Sequence, residues 1–265
     1  MRKLLLLLSL SLLLVSCNIK ERIVFNDDMS GDYEVSMDMS PILSISKNMG
    51  GGTNSDSKKK KEKIDTTIVF DDFLELYKDS IKTDEDRMKA EMLRGMTMHM
   101  KMDEDEGLGI LTLSKKFTKF NELNNMSGSI EDALSNAKES SGAVNPLGEG
   151  SIMNKNTHYS YDGKIFKRFS NKKKESKAEV EVVEETEFEG KVESDDPDTQ
   201  KLIQSIEMLE ESLSYELEYV FPKRIKSVSV PSAIISKDRK TVNVKFDVKN
   251  SLENKDLMSF EVVFE

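Results

Sequence analysis

Apolar and polar residues alternate along much of the chain, which is the pattern of strands that bury one face. Residues 21–26 (ERIVFN) and 32–39 (DYEVSMDM) alternate on either side of a polar turn that ends in glycine. This arrangement predicts a hairpin. Because side chains in a strand point to opposite faces with a period of two, one face should carry Tyr33, Val35, Met37 and Met39.

Further strands are predicted by the same alternation. Residues 96–102 and 108–113 flank the polar run 103–107 (DEDEG), which predicts a second hairpin, and Asp162-Gly163 is a strong two-residue signal for a third within 157–169. Residues 64–70 fit either a short strand or an extended lead-in to a helix. The C-terminal part of the chain predicts strands at 215–221, 225–230, 241–248 and 258–264.

Four segments carry helical signals instead. Asp71 or Asp72 can cap a helix that carries Phe73, Leu74, Leu76, Tyr77 and Ile81. Thr83 and Asp86 have the spacing of a capping box, and a second helix should run from there to about residue 95. A third helix is predicted over 129–137. A fourth should begin near Pro197, with apolar residues at helical spacing at Leu202, Ile206, Leu209 and Leu213.

This order of elements predicts an α+β fold, in which three to four helices pack on one face of a sheet of antiparallel hairpins. Segments rich in Gly, Ser, Asn, Lys or Glu interrupt the periodic regions, and flexible loops are expected near 46–63, 140–156 and 171–196. The length of the remaining chain suits a single domain over residues 17–265.

The first 17 residues (MRKLLLLLSLSLLLVSC) follow a different pattern. Arg2 and Lys3 form a basic start, and the apolar run 4–15 that follows is too short for a transmembrane helix. The run ends in Leu14-Val15-Ser16-Cys17, which resembles the lipobox of bacterial lipoproteins. The resemblance implies that residues 1–16 are a signal peptide, and that Cys17 is acylated and becomes the new N-terminus. The alternative is an ordinary secretory signal with an incidental cysteine.

Cys17 is the only cysteine, so the chain cannot form an internal disulfide. Two or three acyl chains on this residue would anchor the protein stably to a membrane without spanning it. Asn18 follows the cysteine, and by resemblance to the enterobacterial sorting rule a residue other than Asp favours the outer membrane. Residues 18–21 lack the acidic cluster of surface-exported lipoproteins, which favours the periplasmic side.

Composition narrows the possible partners. The formal charge is −10, or −12 once Arg2 and Lys3 are removed, and this balance argues against a nucleic-acid partner. The four lysines at 58–61 could form a basic patch, but in an acidic exported chain they indicate a solvated loop.

Metal and cofactor chemistry has few candidates. Residues 96–102 (MTMHMKM) offer thioethers and one imidazole, which are ligands that suit Cu(I). In a strand, however, the four methionines share one face and His99 points to the other, so a core strand filled by adaptable Met is the simpler interpretation. Gly107 and Ser114 occupy the wrong positions for a calcium loop beginning at Asp103. We therefore expect no metal and no cofactor.

No catalytic motif is present: the chain lacks G-x-S-x-G, H-E-x-x-H, a P-loop and G-x-G-x-x-G. His99 and His158 fall in different predicted hairpins. The sequence therefore predicts that the protein is not an enzyme.

The whole chain resembles uncharacterised envelope lipoproteins of Bacteroidetes. The similarity rests on the lipobox, on ERIVFNDDMSGDYEVSMDMS after the anchor, and on the strand-rich end that begins YVFPKRIKSVSVP. A weaker similarity is to the mycobacterial LppM-like domain, which also follows a lipobox with paired strands and is linked to lipid binding, although this sequence lacks the C-terminal membrane helix of those proteins.

Two functions follow as hypotheses. The first is a non-enzymatic, lipid-anchored envelope protein that binds another protein. The alternative is a periplasmic carrier of a lipid or small apolar ligand, which the many Met side chains would suit.

Overall fold

The computed structural model describes residues 18–41, 43–44, 63–126, 128, 130, 157–170, 200, 213–247 and 255–265. Within these ranges the chain is mostly β-structure. The strands are β1 (Asn18–Phe25), β2 (Gly31–Asp38), β3 (Lys63–Val69), β4 (Met96–Asp103), β5 (Leu108–Phe117), β6 (Thr157–Tyr161), β7 (Ile165–Ser170), β8 (Ser214–Val220), β9 (Ile225–Val228), β10 (Ile234–Ile235), β11 (Thr241–Asp247) and β12 (Phe260–Phe264).

The larger sheet has eight strands in the order β10-β11-β8-β1-β2-β5-β4-β3. The predicted hairpins β1–β2 and β4–β5 are confirmed, and both are antiparallel. Along β2 the side chains of Tyr33, Val35 and Met37 are buried on one face, as the alternation predicted. Residues 63–69 form strand β3 and a helix begins at the next residue, so both interpretations of that segment are partly correct.

One strand pair in this sheet is parallel. Strand β1 pairs with β8, so that Asn18 lies opposite Ser214 and Val24 opposite Val220. Strand β8 continues the sheet through its antiparallel pairing with β11. Next to the centre of the sheet, a strand from the first part of the chain therefore lies beside a strand from its last part.

The smaller sheet has four strands in the order β6-β7-β12-β9. Its first two strands form the predicted Asp162-Gly163 hairpin. The Asp162 carboxylate accepts the backbone N–H groups of Lys164 and Ile165 at 2.9 and 2.8 Å, and Gly163 has the positive φ of 95° that this turn requires.

The core lies between the two sheets and is rich in aromatic rings. The ring of Phe166 on β7 is 5.5 Å from Phe25 on β1, and the ring of Phe260 on β12 stacks on Tyr219 of β8 at 5.7 Å. Such offset and edge-on contacts add to the free energy gained by burying the ring surfaces. The second sheet thus covers much of the apolar face of the large sheet. The core is completed by the helical residues Leu123, Met126 and Ile130.

Two short α-helices lie at the β3 edge of the large sheet in the described part of the chain. Helix α1 spans Phe70–Leu76 and helix α2 spans Asp84–Leu93, with single 3-10 turns at Lys78–Ser80, Phe120–Glu122 and Lys255–Met258. Residues 40–41, 43–44 and 123–126 are also helical. The predicted capping box of α2 is confirmed, because Thr83 and Asp86 each accept the other's backbone N–H.

The expected α+β fold, with three to four helices packed on one face of the sheet, is wrong. Wherever burial is described, the helices α1 and α2 bury only Leu74 and Ala90 below one-tenth exposure. The large sheet instead packs against a second sheet, and strands of the two sheets supply most of the buried core. Cys17 and the predicted loops and helices at 46–62, 131–137, 140–156, 171–196 and 201–212 lie outside the described residues.

Candidate functional site

An apolar surface lies where the edge strand β3 passes into helix α1, and we call it the β3–α1 surface. Exposure is 45% for Phe73, 76% for Leu76 and 48% for Tyr77. The last two residues of the strand, Ile68 and Val69, are exposed by 37% and 41%. These five exposed large apolar side chains fall within ten consecutive residues, and exposed apolar surface of this kind marks binding sites.

The sequence of α1 (FDDFLEL) explains this exposure. Seven residues make about two turns, and the apolar side chains at 70, 73, 74 and 76 point to more than one side of the helix. Burying Leu74 therefore leaves Phe73 and Leu76 facing outward. The rings of Phe73 and Tyr77 pack against each other, with centroids 4.5 Å apart, and form one aromatic surface.

Strand β3 is the edge strand of the large sheet in the part of the chain that the structure describes. Among the described residues β3 pairs with β4 alone, and six of its seven residues are exposed. An edge strand offers backbone N–H and C=O groups to any extended segment that aligns with it. The β3–α1 surface thus combines apolar side chains with backbone donors and acceptors.

The surface is also acidic. Between Phe70 and Ser80 the chain carries Asp71, Asp72, Glu75 and Asp79 against one cation, Lys78, which gives a net charge of 1 − 4 = −3. Lys78 Nζ lies 2.6 Å from Glu75, and this hydrogen bond lowers the pKa of the Glu75 carboxyl. Asp71 accepts the backbone N–H of Gly95 at 3.0 Å. No cationic partner is shown for Asp72 or Asp79 in the part of the chain that the structure describes.

A second group of polar side chains lies inside the core. Glu21 on β1 is 1% exposed, and its carboxylate accepts hydrogen bonds from three phenols. Tyr159 and Tyr215 donate at 2.8 Å each, and Tyr219 donates to the same oxygen as Tyr159. Two of these phenols come from β8 and the third from the smaller sheet, so one carboxylate joins the two sheets.

Arg168 on β7 completes this buried cluster. Its guanidinium is 3% exposed and lies 3.5 Å from Glu21. It also donates to Tyr219 Oη at 3.1 Å and to the carbonyl of Met258 at 2.9 Å. Both charges of the buried pair are therefore compensated by each other and by neutral hydrogen-bonding groups, as a charge in a protein interior requires.

The electrostatics of the cluster keep its phenols neutral. Burial raises the pKa of Tyr159, Tyr215 and Tyr219, and the nearby Glu21 carboxylate raises each further. Tyr33 on β2 is fully buried beside them and its pKa is raised by the same two causes. Its hydroxyl has no hydrogen-bond partner among the described residues. Because Glu21 and Arg168 are out of contact with solvent, the cluster suits joining the sheets rather than binding a substrate.

The methionine strand keeps the arrangement that its alternation predicted. Met96 is fully buried, whereas Met98, Met100 and Met102 are half-buried. His99 points to the other face, where its Nε2 lies 2.9 Å from Asp65 of β3, and this hydrogen bond lowers the pKa of Asp65. His158 lies in the other sheet, in β6, next to Phe169.

The acidic run 103–107 forms the turn between β4 and β5. The Asp103 carboxylate accepts the backbone N–H groups of Asp105 and Glu106, at 3.0 and 3.2 Å, and pairs with Lys63 at 2.8 Å. The bond from Lys63 lowers the pKa of Asp103. In the described part of the chain no three His, Cys, Asp or Glu side chains are grouped so that they could hold a metal ion.

Cys17, the one site residue predicted from the sequence, lies outside the described residues, but its neighbour does not. Strand β1 begins at Asn18, so the chain enters the centre of the large sheet directly after the cysteine. In the described segments we find no helix with both the length and the apolar character needed to cross a bilayer.

Comparisons with known proteins gave one structural similarity. A scan against protein-family models gave no match, and a search of curated proteins gave no significant match. The folded domain of the Mycobacterium tuberculosis protein LppM, solved by NMR, aligns with 94% of this chain and 90% of its own, at 9% sequence identity and a TM-score of 0.33. A TM-score this low does not establish a shared fold, so no function is transferred.

Sequence reasoning missed both groups of residues described above. The signal for the buried cluster was present: Ile19, Glu21, Ile23 and Phe25 alternate on one face, so a carboxylate interrupts an otherwise apolar face. For the β3–α1 surface, the sequence predicted a longer helix, with apolar residues from Phe73 to Ile81, among helices that pack on the sheet. The helix ends at Leu76, and too few of its sides face the sheet to bury them all.

Proposed function

We propose that this chain is a non-enzymatic component of the bacterial cell envelope that binds another protein. In this proposal acylated Cys17 anchors it to the outer membrane, with the folded part facing the periplasm. The observation that supports the binding role is the β3–α1 surface, where five large apolar side chains remain in water. The lipobox-like sequence at 14–17 supports the anchor, and Asn18 supports the outer membrane.

The packing of the interior supports a surface function over a catalytic one. The two sheets contact each other through closely spaced rings, such as Phe25 with Phe166 at 5.5 Å and Phe221, which follows β8, with Phe264 at 5.0 Å. The polar cluster around Glu21 and Arg168 is buried and hydrogen-bonded. A catalytic acid or base must reach its substrate, and these two groups do not contact solvent.

The binding role is tested with the intact, lipidated protein, purified from gently solubilised envelopes and analysed by native mass spectrometry. We expect a stoichiometric protein partner that is lost from the Leu76→Ser variant, because the apolar contact area at α1 is reduced. Ile234→Ser is the matched control, since Ile234 is 68% exposed at the opposite edge of the large sheet. Equal retention of the partner by both variants would rule out the β3–α1 surface.

Carriage of a lipid or small apolar ligand is the second candidate. Met98, Met100 and Met102 are half-buried on the inner face of β4, and the last two lie at the end of the sheet where β1 begins. Thioether side chains adapt to apolar ligands of irregular shape. In the same mass spectra, a protein-free species with a constant small added mass would favour this function over protein binding.

The anchor is tested separately with the Cys17→Ser variant. Without a thiol no acyl group can be transferred, so we expect an uncleaved precursor that takes up no labelled fatty acid. Ser16→Ala keeps a small residue before the cysteine and should be processed normally. Normal cleavage and acyl labelling of Cys17→Ser would refute the lipoprotein assignment.

A further inference from the structure

We propose that the partner binds by strand addition: an extended segment of another exported protein pairs with the free edge of β3 and continues over α1. This inference rests on the proposed protein-binding function and specifies its geometry. The observations that support it are the pairing of β3 with β4 alone in the described ranges, the exposure along β3, and the adjoining aromatic pair Phe73–Tyr77. Strand addition of this kind obtains affinity from the backbone and specificity from neighbouring side chains.

The side chains of β3 define which segment fits. Ile64, Thr66 and Ile68 share one face of the strand, because they lie opposite Met102, Met100 and Met98 of β4. A partner strand with β-branched or aromatic residues at alternate positions would pair well with these residues. Beyond Val69 the partner meets a stretch with a net charge of −3, so Lys or Arg should follow its apolar positions.

The membrane that holds the anchor is a poor candidate for the occupant. Val69 is in register with Thr97, Ser114, Glu34 and finally Arg22 across the four strand pairs that lead to β1. Arg22 is five residues beyond Cys17, which corresponds to roughly 17 Å of strand, and α1 lies further along. The β3–α1 surface therefore points away from the lipid-anchored end of the sheet.

A second copy of this chain is also disfavoured. Two β3 edges related by a two-fold axis would pair antiparallel. Four antiparallel pairings separate β3 from β1, so both strands run in the same direction within one molecule. In such a dimer the two β1 strands would run in opposite directions, and the two Cys17 anchors would lie at opposite ends. A single membrane could then not hold both Cys17 anchors while the strands of the two molecules stand perpendicular to it.

The test uses the full lipidated chain in intact cells, with a photo-reactive residue in place of Val69, and two proline variants in this background. Backbone N–H groups alternate along β3 between β4 and the free edge, so Thr66→Pro and Thr67→Pro remove one donor of each kind. Resistance to proteolysis identifies the variant that keeps the ladder with β4. We expect that variant to lose at least about tenfold of the cross-linked protein adduct, because an edge donor is missing.

Hydrogen exchange of the cross-linked complex provides the second measurement. It does not use the proline variants, so it tests strand addition even if both of them unfold. We expect the amides of residues 63–69 to exchange about tenfold or more slowly than in the free chain. Undiminished adduct in a folded proline variant, or unchanged exchange in β3, would overturn strand addition. An adduct with a second copy, with lipid or within the same chain would overturn the choice of partner. If the adduct were lost in Leu76→Ser but kept in the folded proline variant, protein binding at the β3–α1 surface would still be supported and strand addition would not.

Discussion

At the scale of single residues, the buried cluster around Glu21 shows how one carboxylate can join two sheets. Its oxygens accept bonds from phenols of β6 and β8 and face the guanidinium on β7. Removing one partner of a buried ion pair leaves the other charge uncompensated, which costs more than the pair contributes while intact. The cluster therefore joins the two sheets at defined atoms. We expect substitutions of its different members to cost different amounts of stability.

The two buried phenols Tyr215 and Tyr33 should respond differently to the loss of their hydroxyls. Tyr215→Phe removes a donor to a charged acceptor, and we expect a loss of about 1.5–3 kcal/mol in the free energy of unfolding. Tyr33→Phe removes a hydroxyl without a partner among the described residues, and stability should stay within about 0.5 kcal/mol or rise. Urea denaturation of both purified variants measures this difference, and equal losses would contradict it.

At the scale of elements, the hairpin β1–β2 depends on one small residue. Gly31 opens β2 opposite Phe25, and a Cβ atom there would overlap the carbonyl oxygen of Val24 and the ring of Phe117. No residue with a Cβ atom fits there without moving the backbone of β1. The hairpin thus requires glycine for close approach, even though its φ is not in the left-handed region.

Gly31→Ala should therefore destabilise the protein by about 2–3 kcal/mol, as overpacking does in a filled core. The matched control is Gly128→Ala, because Gly128 is helical and nothing lies within 4 Å of the position of its Cβ. We expect that change to be neutral or to stabilise by up to about 1 kcal/mol. Thermal unfolding of the two variants makes the comparison, and a loss in the control as large as in Gly31→Ala would refute the steric argument.

The elements that the sequence predicted well are those defined by neighbouring residues. The alternation at 33–37, the Thr83–Asp86 capping box and the Asp162-Gly163 turn are all local, and each is present. The packing of elements was predicted wrongly because it depends on distant partners. Nothing near Glu21 indicates that Arg168 and Tyr215 will surround it, and nothing in β1 indicates its pairing with β8.

At the scale of the whole molecule, four buried phenols link stability to alkaline pH. Tyr33, Tyr159, Tyr215 and Tyr219 all have pKa values raised by burial and by Glu21. The unfolded chain loses these protons near about pH 10, while the folded protein keeps them to higher pH. The stabilising contribution is therefore fully present below about pH 10 and is lost as pH rises above it.

We expect the free energy of unfolding to fall above about pH 10 by up to about 1.4 kcal/mol per pH unit for each buried phenol. Denaturation curves between about pH 8 and pH 11.5 measure this slope. The Tyr159→Phe variant has one phenol fewer to titrate. Its free energy of unfolding should therefore fall less steeply with pH, by up to about 1.4 kcal/mol per pH unit. A slope unchanged by this substitution would contradict the assignment.

The parallel pairing of β1 with β8 also bears on how the protein matures. Asn18 and Ser214 are neighbours in the sheet, yet they are separated by 196 residues along the chain. Synthesis from the N-terminus makes β1 early, whereas its parallel neighbour β8 is made only after most of the polypeptide. Under the proposed lipid attachment at Cys17, the molecule would be tethered before this pairing closes the sheet. A chain interrupted before Ser214 would lack β8 and would leave this edge of β1 open to proteolysis.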